Sequence, residues 1–167
     1  PPVFDGPEDR NGKRNHDEIR LWSEYLTPGD KPWLCDDRGE CGGLPAGARF
    51  VIAGDLNNDP VDGDGLHQAI VELIENPRVL RHATPRSEGG GETARAYAAK
   101  GINHRGAPEH VTGDFGPRTG AMRLDYVLPS TGFNVLQSGV FWPIAQSPDA
   151  AIADGSDHHL VWLDLSR

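Results

Sequence analysis

Five polar side chains suited to catalysis stand at the ends of, or within, three apolar runs that are typical of β-strands. They are Asp55, Asn57, Asp125, Asp157 and His158. Because strand ends can meet along one edge of a sheet, three strands can deliver oxygen and nitrogen ligands to the same place. Carboxylates and an imidazole gathered in this way can share a metal ion or a phosphate group.

The elements that must position these side chains are strands and two helices. Apolar, β-rich runs predict strands at residues 49–54, 122–128, 134–142 and 159–165. The first of these is so dense in apolar residues that burial on both faces is expected.

Helical spacing of apolar residues predicts helices at residues 16–26 and 66–75. Asn15 is predicted to cap the first helix, with Glu18 in its first turn. Residues 27–47 are interpreted as a loop. The segment at 81–120 has little periodicity and is longer than an ordinary connection. It is therefore predicted to be a functional loop with at most a short helix at 93–99.

Three short segments, in order, carry a family resemblance: GDLN at 54–57, RLDYVL at 123–128 and SDHH at 156–159. Together they resemble the endonuclease/exonuclease/phosphatase superfamily, and residues 4–10 and 57–60 look like loops of its bacterial secreted members. The resemblance implies an α/β (α+β) fold: half of a four-layer α/β/β/α sandwich, with a mixed, mainly antiparallel sheet and flanking helices.

The same resemblance implies a role for each motif residue. Asp55 orients and deprotonates the attacking water, and Asn57 holds a nonbridging phosphate oxygen. Asp125 accepts a hydrogen bond from His158, whose other nitrogen faces the phosphate of the substrate. Asp157 is a ligand of a divalent cation, Mg²⁺ or Mn²⁺, with Ca²⁺ possible.

Plainer interpretations of these residues remain open. Asp55 can be an ordinary turn residue, and Asp125 can pair with its neighbour Arg123. A calcium loop of the EF-hand type beginning at Asp55 is disfavoured, because Pro60 stands where the loop needs Gly and Leu66 where it needs a bidentate Glu.

Arginines near the predicted strand at 122–128 are candidates for binding the substrate. Arg118 and Arg123, together with Arg95 or Arg105, are expected to line a phosphate-binding rim. The alternative is that these side chains are simply solvated.

Length and composition limit the class of protein. The 167 residues suit a single domain at 1–167, and 37% hydrophobic residues suffice for an ordinary core. With 25 acids against 16 Lys and Arg, the net charge of −9 is the wrong sign for tight binding of nucleic acid, and no strong basic patch is expected. The sequence has no apolar run long enough to predict a membrane span.

Two cysteines bear on the cellular compartment. Cys35 and Cys41, separated by a short acidic loop, predict a disulfide and hence a secreted or periplasmic protein. A zinc-binding pair and two free thiols are the alternatives.

The resemblance also predicts what this sequence lacks. An Asn and a Glu that bind the main metal ion belong to the N-terminal half of family members, and no counterpart is found here. The chain is therefore expected to be a C-terminal portion, inactive alone, of a protein that hydrolyses phosphodiesters or phosphomonoesters. Its expected partners are a phosphate-ester substrate and either the missing half or a second copy. The alternative is a noncatalytic structural or calcium-binding extracellular module.

Overall fold

A computed structural model describes residues 6–167; the beginning of the 4–10 segment lies outside the described residues. The helices are α1 (Arg10–Leu26), α2 (Gln68–Ile74), α3 (Glu88–Ala98), α4 (Gly116–Thr119) and α5 (Ala150–Ala153), with a 3₁₀ helix at Pro108–His110. The strands are β1 (Val51–Asp55), β2 (Gly113–Asp114), β3 (Ala121–Met122), β4 (Asp125–Pro129), β5 (Asn134–Phe141) and β6 (Leu160–Ser166). Helices combined with antiparallel strand pairs confirm the predicted α/β class.

The pair β1 and β4 is the centre of the structure. The strands run antiparallel, from Val51 opposite Pro129 to Asp55 opposite Asp125. Alternate residues point to opposite faces, so Ile52 faces the core while the side chain of Val51 remains exposed.

The expected burial of the first strand on both faces is wrong. Helices α1 and α2 cover one face and form the main core with it, and among residues 6–167 the opposite face at Val51 and Ala53 remains open. The core residues are Ile19, Leu26, Ile52, Ala69, Ile70, Leu73, Val79, Tyr126 and Leu128. Apolar density alone did not distinguish a covered face from an open one.

Helix α1 begins six residues before the predicted start, and Asn15 does not cap it. Asn15 is buried inside the helix, where its side-chain amide donates to the Leu56 carbonyl at 3.0 Å. Its carbonyl oxygen accepts from the Asn58 amide at 2.9 Å. These tertiary hydrogen bonds, which tie α1 to the loop after β1, explain a residue type that otherwise favours helix ends.

The segment at 81–120 has much more regular structure than predicted. It contains α3, the 3₁₀ helix, β2 and α4. Helix α3 begins with three buried glycines, which discourage a helix by propensity. Here Ser87 caps the helix by accepting from the Gly90 N–H at 3.2 Å. A side chain at Gly89 would collide with the backbone of Trp142 and Pro143, so glycine permits this close packing.

Strands β5 and β6 confirm the last two predicted strands and pair antiparallel, with an irregularity between Val135 and Gln137. The segment at 27–47 is a loop, as predicted, and it contains the Cys35–Cys41 disulfide. The Arg78 guanidinium donates to the carbonyls of this region: Leu26, Leu44, Pro45 and Ala48. Within the described chain, no helix has the length and apolarity needed to cross a membrane.

Candidate active site

The antiparallel register brings two carboxylates together. Asp55 ends β1 and Asp125 begins β4, and they are directly opposite each other in the ladder. Side chains of directly opposed residues lie on the same face of a sheet, so the two acids share the open face.

His158 completes this group from the segment before β6. Its Nδ1 atom lies 3.0 and 3.1 Å from the two carboxylate oxygens of Asp125. One potential ligand atom from each of Asp55, Asp125 and His158 lies within 4.8 Å of the others. The segment is held against β2, because the Asp114 N–H donates to the Asp157 carbonyl at 2.8 Å.

Thr112 positions Asp125, and sequence reasoning missed it. The buried Thr112 hydroxyl donates to Asp125 Oδ2 at 2.7 Å and accepts from the backbone N–H groups of Leu124 and Asp125. The Thr112 carbonyl also accepts from the His159 N–H at 2.8 Å. No motif signals this role, since Thr112 lies in the segment at 81–120, which has little periodicity.

The electrostatics of the group favour Asp55 as a base and His158 as a charged imidazole. Partial burial raises the pKa of Asp55, and the charge of Asp125 adds to this, although the N–H of Asn57 opposes it. Partial burial by itself would lower the pKa of His158. The hydrogen bond to Asp125 and the negative charges of Asp125, Asp55 and Asp157 outweigh burial, so the pKa of His158 is raised. His158 is therefore stabilised in its protonated form.

Asn57 and α1 border the group on one side. Asn57 has a positive φ of 53°, which asparagine tolerates better than most residues, and its N–H donates to Asp55 Oδ1 at 2.6 Å. Asp55 and Asn57 line a cavity of about 240 Å³ together with Asn11, Arg14 and Glu18 of α1. No sequence pattern predicted that this face of α1 lies beside the acids.

The remaining predicted site residues, Asp157, Arg118 and Arg123, are not part of the group formed by Asp55, Asp125 and His158. Asp157 is exposed, and its carboxylate is not one of the three clustered ligands, although its charge helps to raise the pKa of His158. Arg118 is exposed in α4. Arg123 lies over the ring of Tyr126 and lines a different cavity. Asp125 thus pairs with His158 rather than Arg123.

His159 turns away from its neighbour His158. It is buried and stacked on Trp142, with 3.6 Å between ring centres. Burial lowers its pKa, so the neutral ring is favoured.

The clustered oxygens suit a divalent cation. Asp55 Oδ1 accepts the Asn57 N–H and Asp125 Oδ2 accepts the Thr112 hydroxyl, which fixes the orientation of each carboxylate. The second oxygen of Asp55 remains available for a hard cation such as Mg²⁺, Mn²⁺ or Ca²⁺, whereas both oxygens of Asp125 also contact His158 Nδ1. The donor set therefore fits a metal ion.

A carboxylate-bound imidazole beside a second carboxylate, on the open face of an α/β structure, is typical of a hydrolase that activates water. The chain matches the model of the Endonuclease/Exonuclease/phosphatase family over residues 2–158, and it belongs to that family. This is a family of phosphoester hydrolases that typically depend on a metal ion. No curated protein and no solved structure gives a significant match.

Proposed function

We propose that the group formed by Asp55, Asp125 and His158 hydrolyses phosphoester bonds by direct attack of water, assisted by a divalent cation. The observation that carries the proposal is the bond between His158 Nδ1 and both oxygens of Asp125, with Asp55 beside it. Family membership supplies the reaction class. Whether the substrate is a phosphodiester or a phosphomonoester depends on the cavity walls.

Asp55 is the proposed base. Its raised pKa makes the carboxylate a better proton acceptor than an ordinary aspartate. The Asn57 N–H fixes one oxygen of Asp55, which leaves the other to orient the water and take its proton. We assign the side-chain amide of Asn57 to a nonbridging oxygen of the phosphate.

His158 is the proposed stabiliser of the transition state. Asp125 binds Nδ1 and leaves Nε2 to donate to the phosphate, where negative charge accumulates as water attacks. A protonated ring stabilises that charge better than a neutral one, and the raised pKa of His158 favours this form.

We propose Mg²⁺ or Mn²⁺ as the cofactor, with Ca²⁺ as an alternative, and the carboxylate of Asp157 as a protein group that would hold it directly or through water. When bound, the cation supplies positive charge that offsets the charge of the phosphate. Because Asp157 is exposed, its carboxylate is free to turn toward the group.

We further propose that turnover needs metal ligands from a preceding segment, an Asn and a Glu in the family resemblance, and that this chain alone is inactive. The open face of β1, which Val51 and Ala53 share with Asp55, suits such a second layer. The calcium-module alternative is weakened, because Asp59 and Asp62 are buried and their oxygens accept backbone N–H groups. The disulfide indicates an oxidising compartment, and we propose that the protein is secreted or periplasmic.

The test measures hydrolysis of bis-p-nitrophenyl phosphate and p-nitrophenyl phosphate by the full-length gene product and by this chain. EDTA should abolish turnover, and Mg²⁺ or Mn²⁺ should restore it. His158→Ala should lower turnover roughly 10²–10⁴-fold, while the matched control His82→Ala should not change it. Activity that survives His158→Ala refutes the role of His158, and no activity in the full-length protein favours the noncatalytic alternative.

A further inference from the structure

A second cavity, of about 360 Å³, lies between α3, the loop after β1 and the segment at 104–111. Its volume is that of a small-molecule pocket. It shares no lining residue with the group formed by Asp55, Asp125 and His158. Apolar and aromatic side chains form much of its wall: Pro60, Val61, Ala94, Tyr97, Val111 and Ala121.

Arg123 brings a partly buried positive charge to this wall. Its guanidinium carbon lies 4.6 Å from the centre of the Tyr126 ring. Among residues 6–167, the guanidinium forms no ion pair with a carboxylate, in contrast to Arg105, which pairs with Asp62. Burial lowers the pKa of Arg123, yet an arginine remains charged at any physiological pH. A desolvated cation that lacks a carboxylate partner is a favourable place for an anion.

Neither of the two acids in the cavity wall, Asp59 and Asp62, forms an ion pair with the Arg123 guanidinium. Asp59 accepts the N–H groups of Val61, Asp62 and Arg123, so its hydrogen bonds go to the backbone, and only its charge acts on the Arg123 guanidinium. Asp62 accepts the N–H groups of Arg105 and Gly106. Both carboxylates are therefore held in place by the backbone of the loops.

More donors surround the rim of the cavity. Arg95 and Arg105 are exposed there, and His104 and His110 complete the basic side. Burial and nearby arginines, Arg123 among them, lower the pKa of His110, so a neutral ring that donates one hydrogen bond is favoured. The cavity thus combines an apolar wall with a basic side.

We propose that this cavity binds a small amphiphilic anion, with a single carboxylate or phosphonate-like head on Arg123 and an apolar or aromatic body against α3. A planar guanidinium can bind either head through two parallel hydrogen bonds. The apolar wall selects against inorganic anions, because they have no apolar group to pack against it. This site is independent of the proposed phosphoesterase group.

The experiment titrates the intact chain in EDTA with phenylacetate, with phenylphosphonate, and with the neutral 2-phenylethanol, by NMR chemical shifts. Phenylacetate or phenylphosphonate should bind with a dissociation constant on the order of 1 mM or tighter. The neutral alcohol and inorganic phosphate should each bind at least about tenfold more weakly, since each lacks one half of the recognition. The order of the two anionic probes identifies the preferred head.

Variants separate this cavity from other sites. Arg123→Met should weaken the anionic probes about 10–100-fold by removing a charge-assisted hydrogen bond. Ala94→Leu fills the cavity from α3 and should abolish binding, whereas Ala96→Leu, on the same helix but outside the cavity, should not affect it. His158→Ala should leave binding intact.

Three results would overturn the proposal. Equal affinity for phenylacetate and 2-phenylethanol would show that the charge of Arg123 does not contribute to binding. Equal affinity for inorganic phosphate and phenylphosphonate would show that the apolar wall does not contribute. Binding by the folded Ala94→Leu variant that matches the wild type would place the probe elsewhere.

Discussion

Replacing Thr112 by Val tests whether one buried hydroxyl holds the catalytic aspartate in place. The hydroxyl accepts from the N–H groups of Leu124 and Asp125, at 2.9 and 3.0 Å, and donates to Asp125 Oδ2 at 2.7 Å. Valine has nearly the same shape but can make none of these hydrogen bonds. The substitution therefore removes polar contacts while it preserves packing.

The cost follows from the number of groups left without partners. Thr112 is only 2% exposed, so water cannot easily replace its hydroxyl. Each buried N–H that loses its acceptor costs about 1–3 kcal/mol. With the bond to the Asp125 carboxylate lost as well, Thr112→Val should lower the free energy of unfolding by about 3–5 kcal/mol. That is a large share of a typical net stability of about 5–15 kcal/mol, but it leaves a folded protein to study.

Urea unfolding followed by circular dichroism measures the effect, with the m-value as a check on two-state behaviour. Thr112→Ser keeps the hydroxyl and should cost only about 1 kcal/mol for the lost methyl group. The exposed Thr131→Val is the matched control and should stay within about 0.5 kcal/mol of the wild type. If Val and Ser at position 112 were equally destabilising, packing rather than hydrogen bonding would explain the effect.

Three further predictions concern the imidazole, the disulfide and the open face. Because the pKa of His158 is raised on folding, the pair with Asp125 contributes stability that is complete below pH 6.5, the ordinary pKa of histidine, and is lost as pH rises through the folded pKa. Asp125→Asn should lower the pKa of His158 in an NMR titration and remove this pH dependence; an unchanged pKa would contradict the pairing. Reducing the Cys35–Cys41 bond should lower the free energy of unfolding by about 2 kcal/mol, the low end for disulfides, because the closed loop is short; thiol titration of the denatured, unreduced protein should find no free thiol. The open face around Val51, which is 44% exposed, should promote self-association that Val51→Lys weakens; a monomer at every concentration in sedimentation, with no binding of a hydrophobic dye, would show that the face needs no cover.

The strands and their polar ends could be predicted because both leave local patterns. Apolar runs predicted the strands, and the acids of the first and second runs, Asp55 and Asp125, are opposed in the ladder. The three ordered motifs placed His158 beside Asp125, a contact across 33 positions that no local pattern defines. A family resemblance therefore supplied the long-range information that periodicity lacks.

Other features could not be predicted because they depend on tertiary contacts. Helix α3 forms despite three glycines because its first turn packs closely on the backbone of Trp142 and Pro143. Asn15 lies inside α1 because Leu56 and Asn58 bind its side chain. In both cases the partner is distant in sequence, so propensity pointed to a different structure.

The contacts of Arg78 tie both ends of the disulfide loop to one side chain. The loop has an antiparallel bridge of its own at Cys35 and Cys41. The guanidinium of Arg78 donates to carbonyls before and after the loop, from Leu26 to Ala48. Those bonds break together when the guanidinium withdraws. The end of α1, the loop and the approach to β1 should then open as one cooperative unit, at a lower free energy than global unfolding. Such an opening loosens one end of the main core while β4 and His158 remain in place, so hydrogen exchange in the loop can be fast in a protein whose candidate site is intact.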